Sequence, residues 1–153
     1  MTARTELKLE LPSWAQVSDE RKEHIVRVTA LLCEWADAMK LDPAERRAWV
    51  DAGRWHDALR DAPVSELRRL AGESNYVLEM LHGPAAAARL AQEGERRADV
   101  LDAIRYHTVG WPSWNRTGRA LYMADFLDPG RHFARPERTR LASQAPRDFL
   151  AVF

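Results

Sequence analysis

The sequence predicts an all-α fold, built as a single helical bundle. Apolar residues recur at helical spacing along most of the chain, and proline and glycine interrupt this pattern between the periodic segments. No segment shows the apolar–polar alternation or the Val/Ile-rich runs that are typical of strands. A chain of 153 residues has the length of one ordinary domain. We expect the core of this domain at 20–131, after a lead-in at 1–19 and before a helical segment of the same domain at 132–153.

The first two predicted helices have clear start signals. Ser18 or Asp19 can cap the first helix, which is expected to run to about Met39. Pro43 starts the second helix, because proline at the first helical position loses no hydrogen bond. We expect the second helix to continue until the sequence Asp61-Ala62-Pro63 ends it.

The later helices are expected to be shorter, with turns at glycine and proline between them. A turn is predicted at 72–75, and the segment 108–114 is predicted to be an irregular loop that is long enough to be functional. The remaining predicted helices are 65–70, 85–91, 99–107, 116–127 and 137–150.

The charge balance bears on the partners of the protein, and the cysteine content bears on its location. Lys plus Arg and Asp plus Glu are 23 each, so the balanced charge favours neither nucleic acid nor an anionic membrane surface as a partner. The single cysteine, Cys33, cannot form an internal disulfide, which is consistent with the cytoplasm. No apolar run reaches the length of a transmembrane helix. The oligomeric state is left open, with a homodimer as one option.

Two acidic residues and two histidines suggest a buried polar site. The pair His56-Asp57 offers two good metal ligands, although a dipeptide alone is weak evidence. His24 lies on the apolar side of the first helix, where a hydrogen-bonded core histidine is the alternative. Asp125 lies in the most apolar stretch of the chain, so a buried carboxylate there needs a cation, either an arginine or a metal ion.

His82 and His107 extend this pattern. His82 precedes Gly-Pro at a predicted helix start, and His107 ends a predicted helix. Each of them alone is as well explained by capping or packing. Taken together, histidines and carboxylates are the donor set of a centre with one or two divalent ions, and such ions activate water and neutralise phosphate oxygens. Iron, manganese, cobalt, nickel and zinc all suit these ligands.

These residues occur in segments that resemble a known family. The order of the ligands is similar to that of the HD-domain phosphohydrolases, and within them to the bacterial YqeK-like symmetrical diadenosine tetraphosphate hydrolases. Two positions depart from that pattern: Arg60 replaces a lysine, and Asp128 replaces a glutamate. The similar segments are 21–28, 53–60, 81–87, 103–110 and 121–131.

The resemblance implies an HD fold with a two-metal site. It implies one ion held by His24, His56, Asp57 and Asp125. It also implies that Asp57 bridges to a second ion, with His82 and His107 as the other ligands. Iron is the metal that the resemblance favours, and two ADP molecules are the products that it implies.

Four further residues are predicted to contact substrate. Arg60 and Arg131 can bind phosphate bidentately, whereas most arginines of such a chain are simply solvated. Thr108 either binds phosphate or caps its turn. Trp111 either stacks on an adenine ring or covers the core. With Asp57, Arg60 is also a predicted catalytic residue.

Three functions are therefore compared. The first is symmetrical hydrolysis of diadenosine tetraphosphate or a related dinucleoside polyphosphate. The second is an HD phosphohydrolase that acts on another nucleotide. The third is an HD-fold binding protein without catalysis, which the presence of all six ligand residues disfavours.

Overall fold

The computed structural model describes residues 10–72, 77–130, 135–147 and 149, which form an all-α bundle. No strand occurs in this part of the chain, and the predicted fold class is confirmed. A 3₁₀ turn, Leu78–Met80, precedes the fourth helix. The helices are α1 (Asp19–Ala38), α2 (Pro43–Trp55), α3 (Val64–Ala71), α4 (His82–Gln92), α5 (Ala98–Arg105), α6 (Arg116–Phe126) and α7 (Arg135–Gln144).

Helix α1 begins where a side chain satisfies its first free backbone N–H groups. The Ser18 hydroxyl accepts a hydrogen bond from the Arg21 N–H at 3.1 Å, so Ser18 rather than Asp19 is the cap. Ile25, Val28 and Leu32 are fully buried, as the helical spacing predicts. One face of α1 is therefore committed to the core, and His24 lies on that face.

Helix α2 is shorter than predicted. It ends at Trp55 instead of continuing to Asp61, and tight turns replace the helical hydrogen bonds after it. The Ala58 N–H donates to the Trp55 carbonyl, and the Arg60 N–H donates to the Asp57 carbonyl. The sequence Ala58-Leu59-Arg60 has good helix formers, so propensity alone did not reveal this early end. His56 and Asp57, at this end of α2, are buried and face the bundle interior.

The core lies between α1, α2, α5 and α6, with α3 and α4 packed together beside them. Gly53 allows α1 and α2 to approach closely, because a Cβ there would lie 3.2 Å from the Thr29 Cα. Gly83 allows the start of α4 to approach the end of α5. A Cβ on Gly83 would lie 2.8 Å from the Ile104 carbonyl oxygen and 3.1 Å from His107 Nδ1.

The predicted C-terminal helix is present but displaced. Helix α7 begins two residues before the expected 137 and ends at Gln144, while residues 148 and 150–153 lie outside the described part. The Trp35 indole N–H donates to the Ala142 carbonyl at 3.0 Å, which ties α7 to α1. Within the described ranges, no helix combines the length and apolar character required to span a bilayer.

A cluster of paired charges lies at one side of α2, and we call it the Asp51 cluster: Asp51, Arg54, Glu95 and Arg97. Arg54 Nε donates to Asp51 Oδ1 at 2.9 Å, and Arg97 Nη2 donates to Asp51 Oδ2 at 2.8 Å. Arg97 also donates to both carboxylate oxygens of Glu95. These bonds join α2 to the start of α5.

Candidate metal centre

The six predicted metal ligands come together at one place in the bundle. Four of them lie at or just beyond a helix end: His56 and Asp57 follow α2, His82 begins α4, and His107 follows α5. The other two, His24 and Asp125, lie within α1 and α6. Helix ends leave backbone groups and turns near the site, so side chains of different helices can converge there.

One half of the centre gathers around Asp57 Oδ2. This oxygen lies 3.5 Å from His24 Nε2 and 3.4 Å from His56 Nε2. Asp125 Oδ1 lies 2.9 Å from His24 Nε2 and 3.9 Å from His56 Nε2. The four side chains therefore present two imidazole nitrogens and two carboxylate oxygens to one small volume.

The other half gathers around the second oxygen of the same carboxylate. Asp57 Oδ1 lies 3.2 Å from His82 Nε2 and 3.3 Å from His107 Nε2. The two histidine nitrogens are 3.1 Å apart. Each Asp57 oxygen thus serves a different pair of histidines, which is the arrangement of a carboxylate that bridges two cation positions.

Hydrogen bonds at the opposite ring nitrogens orient three of the histidines. His56 Nδ1 lies 2.7 Å from the Gly53 carbonyl oxygen, and His107 Nδ1 lies 2.7 Å from the Ile104 carbonyl oxygen. His24 Nδ1 lies 2.6 Å from Asp128 Oδ2. A carbonyl oxygen can only accept, so Nδ1 of His56 and of His107 carries the proton and the Nε2 lone pair points into the centre.

The residues fit a divalent metal ion. The buried Nε2 atoms of His24 and His56 have no hydrogen-bond partner among the described residues, which is costly for buried polar atoms. Donor atoms of His24, His56 and Asp125 lie within 4.8 Å of one another, and so do those of His56, Asp57 and His107. An ion between these atoms would bind the histidine nitrogens and balance the charge of the two carboxylates.

The charges of the centre shift its pKa values in opposite directions. Burial lowers the pKa of His24, but the neighbouring carboxylates of Asp125 and Asp128 outweigh it and raise the pKa to about 8. Burial raises the pKa of Asp125, but His24 and His56 lower it to about 2. For His82 burial dominates, and its pKa falls below the ordinary value. The carboxylates are therefore ionised and available as ligands at neutral pH.

A cavity of about 210 Å³ opens onto this centre. Arg60 and Thr108, both predicted to contact substrate, line it, and so does Arg21. Arg21 Nη1 lies 3.2 Å from Asp57 Oδ2, so a positive charge already faces the bridging carboxylate. The described residues that line the cavity are Arg21, Asp57, Arg60, Glu79, His82, His107, Thr108 and Asp125.

This geometry agrees with comparisons to known proteins. The family model described as HD domain matches residues 21–140. The chain belongs to the HD domain family. The matched range includes all six residues of the centre.

Two relatives of this HD domain carry the same enzyme name. The symmetrical bis(5'-nucleosyl)-tetraphosphatase of Halalkalibacterium halodurans is 31% identical over 142 residues, which cover 86% of this chain and 72% of that enzyme. The enzyme of the same name from Bacillus subtilis is 29% identical over 133 residues, covering 82% of this chain and 70% of the relative.

A solved structure shares the fold. It is a crystal structure from Clostridium acetobutylicum described as an HD superfamily hydrolase involved in NAD metabolism. Its TM-score is 0.72 at 25% identity, and the alignment covers 89% of this chain and 74% of that chain.

The other two predicted substrate contacts, Trp111 and Arg131, stay predictions. Trp111 stacks on Tyr106, with ring centroids 4.8 Å apart, and is not among the residues that line the 210 Å³ cavity. Arg131 lies outside the described residues. The neighbouring Trp114 is 5% exposed and its indole N–H donates to the Asp102 carbonyl, so this tryptophan covers the core.

Two residues near the site of this HD domain were missed by the sequence analysis. Asp128, noted only as a replacement, holds His24 in place and is itself held by Arg27 Nε at 2.7 Å. Arg21 faces Asp57 from the turn of α1 before His24. The signal for Arg21 was its spacing: three residues before His24, it shares that face of the helix.

Proposed function

We propose that this HD domain hydrolyses diadenosine tetraphosphate symmetrically to two ADP molecules. The observation that carries the proposal is the bridging position of Asp57 beneath a cavity lined by Arg21 and Arg60. The similarity to two enzymes named as symmetrical bis(5'-nucleosyl)-tetraphosphatases supports this substrate class.

The six residues of the centre are proposed to hold two divalent ions. His24, His56, Asp125 and Asp57 would hold one ion, and His82 and His107 would hold the other together with Asp57. Bound metal ions supply positive charge that activates water and stabilises the phosphoryl group during hydrolysis. Among the metals that suit these ligands we propose iron, on the family resemblance described above.

The residues around the cavity are proposed to bind and orient the polyphosphate. Arg60 and Arg21 offer guanidinium groups that can each hold two phosphate oxygens, and Thr108 offers a hydroxyl. In the reaction the oxygen of one water molecule forms a bond to a central phosphorus. The bond from that phosphorus to the central bridging oxygen breaks, and each half leaves as ADP.

A cytoplasmic location, suggested by the single cysteine, is part of this proposal. The oligomeric state stays open, with a homodimer as one option.

The direct test is to incubate metal-reconstituted protein with diadenosine tetraphosphate and to separate the products by chromatography. We expect two equivalents of ADP and loss of turnover after chelation. ATP plus AMP would contradict the symmetrical cleavage. No turnover by protein with verified bound metal would contradict the substrate, and a panel of other nucleotides would then identify the one that is hydrolysed.

A further inference from the structure

A second cavity of about 220 Å³ adjoins the metal centre and has a different character. Val64, Leu67 and Leu78 form its apolar wall. Val64 is 43% exposed and Leu78 is 44% exposed, although both are large aliphatic residues. Exposed aliphatic side chains at the edge of a concave site are a common feature of pockets that bind the apolar part of a ligand.

The two cavities share three lining residues. Arg60, Glu79 and His82 line both of them. His82, one of the histidines of the metal centre, therefore lines a cavity together with a cation, a carboxylate and the aliphatic wall. This combination of chemical groups suits a ligand with an anionic end and a flat apolar end.

Glu79 indicates which ligand of that kind suits the second cavity. A carboxylate at neutral pH only accepts hydrogen bonds, so it repels phosphate and favours a group with two neighbouring hydroxyls. Arg60, beside it, favours phosphate. A nucleotide presents phosphate, a ribose diol and a base in this order.

We propose that the cavity formed by Val64, Leu67, Leu78 and Glu79 is the binding site for one nucleoside of the substrate. The base packs on the aliphatic wall, and the ribose hydroxyls donate to Glu79. This inference rests on the proposed function, because it takes the substrate to be a nucleotide. It adds the residues that select the nucleoside.

The test compares ligands with and without the nucleoside. Binding of ADP and of inorganic pyrophosphate to the metal-loaded protein is measured by calorimetry, for the natural chain and for Val64→Ser and Leu78→Ser, singly and together. Both positions are exposed, so serine is compatible with the fold. Val26→Ser is the matched control, because Val26 is an exposed aliphatic residue, 37% exposed, on α1 and outside both cavities.

We expect the natural protein to bind ADP more tightly than pyrophosphate. The double variant should weaken ADP binding by about tenfold and leave pyrophosphate binding unchanged, since it removes only apolar contacts. The control should change neither. Equal loss for the two ligands, or an unchanged ADP affinity in the double variant, would overturn the proposal.

A second variant tests the ribose contact. Glu79→Ala should reduce the preference for ADP over 2′,3′-dideoxy-ADP and should tighten pyrophosphate binding, because a repelling carboxylate is removed. An unchanged preference would overturn the role of Glu79. These binding results do not depend on turnover: absence of diadenosine tetraphosphate hydrolysis together with the expected ADP results would reject the proposed function and keep the nucleoside site.

Discussion

The metal centre and the Asp51 cluster are both groups of charged side chains around a buried aspartate beside α2, but they differ in whether their buried polar atoms have hydrogen-bond partners. Asp51 is 5% exposed, and its two oxygens accept from Arg54 and Arg97. In the metal centre, the buried Nε2 atoms of His24 and His56 have no hydrogen-bond partner within the part of the chain that the structure describes, and the carboxylates of Asp57 and Asp125 both lie beside them. Buried groups that satisfy one another stabilise the fold, whereas buried groups left without partners indicate a ligand.

The largest expected effect is a loss of activity when the metal centre, rather than the Asp51 cluster, is changed. Asp57→Asn should lower the turnover number on the order of a thousandfold or more, because it alters the carboxylate between both metal positions. Initial rates of ADP release measure this, and circular dichroism checks that the variant folds. Turnover close to that of the natural protein would contradict the bridging role.

The matched change in the other cluster should act on stability instead. Asp51→Asn leaves the charges of Arg54 and Arg97 only partly compensated and should lower the free energy of unfolding by about 2 kcal/mol, since solvent screens the two partly exposed arginines. Urea denaturation gives this value, and metal content per chain should stay unchanged. A loss of bound metal without a loss of stability would contradict the structural role of the Asp51 cluster.

Removal of the metal should destabilise the protein, and this loss of stability should depend on an intact metal centre. An ion at a hundredfold excess over its dissociation constant stabilises the folded state by about 2.7 kcal/mol, so chelation should lower the melting temperature. Calorimetry with and without chelator measures the shift. Asp57→Asn is the control and should show a smaller shift; an unchanged melting temperature of the natural protein after verified metal removal would argue against the centre.

Loss of the carboxylate behind His24 should have an intermediate effect. Asp128→Asn keeps the size of the side chain but removes the charge that holds His24 Nδ1, and should weaken metal binding by about tenfold to a hundredfold. Competition with a chelator of known affinity measures the change. Affinity equal to that of the natural protein would show that the backbone alone orients His24.

The smallest effect should be dependent on pH. The hydrogen bonds from Arg97 lower the pKa of Glu95 from 4.5 to about 2, so the charged form is the one that stabilises the fold. That stability is present above pH 4.5 and is lost as the pH falls toward 2. Glu95→Gln should therefore cost about 1 kcal/mol at pH 7 and less at pH 3.5 by urea denaturation. An equal cost at both values would contradict the ion pair.

The sequence was sufficient for the fold class, because helical spacing is a local pattern. It also named six candidate ligands, and the structure brings their side chains together. Helical spacing identified the buried face that carries His24, and the apolar surroundings of Asp125 indicated a cation. The early end of α2 was not predictable from propensity, since tertiary contacts decide where a good helix former stops. The stacking of Trp111 on Tyr106 was equally out of reach, because loop geometry depends on packing between distant segments.

Gly83 influences the distance between two ligands of the centre, although it is not a ligand itself. Because this residue has no side chain, the first turn of α4 rests directly on the last turn of α5, and that contact fixes how far apart His82 and His107 stand. The spacing of two ligands is thus encoded in a backbone contact. The ion size that the centre prefers, and with it the choice among competing metals, can therefore change in evolution or by design through a residue that does not contact the ion.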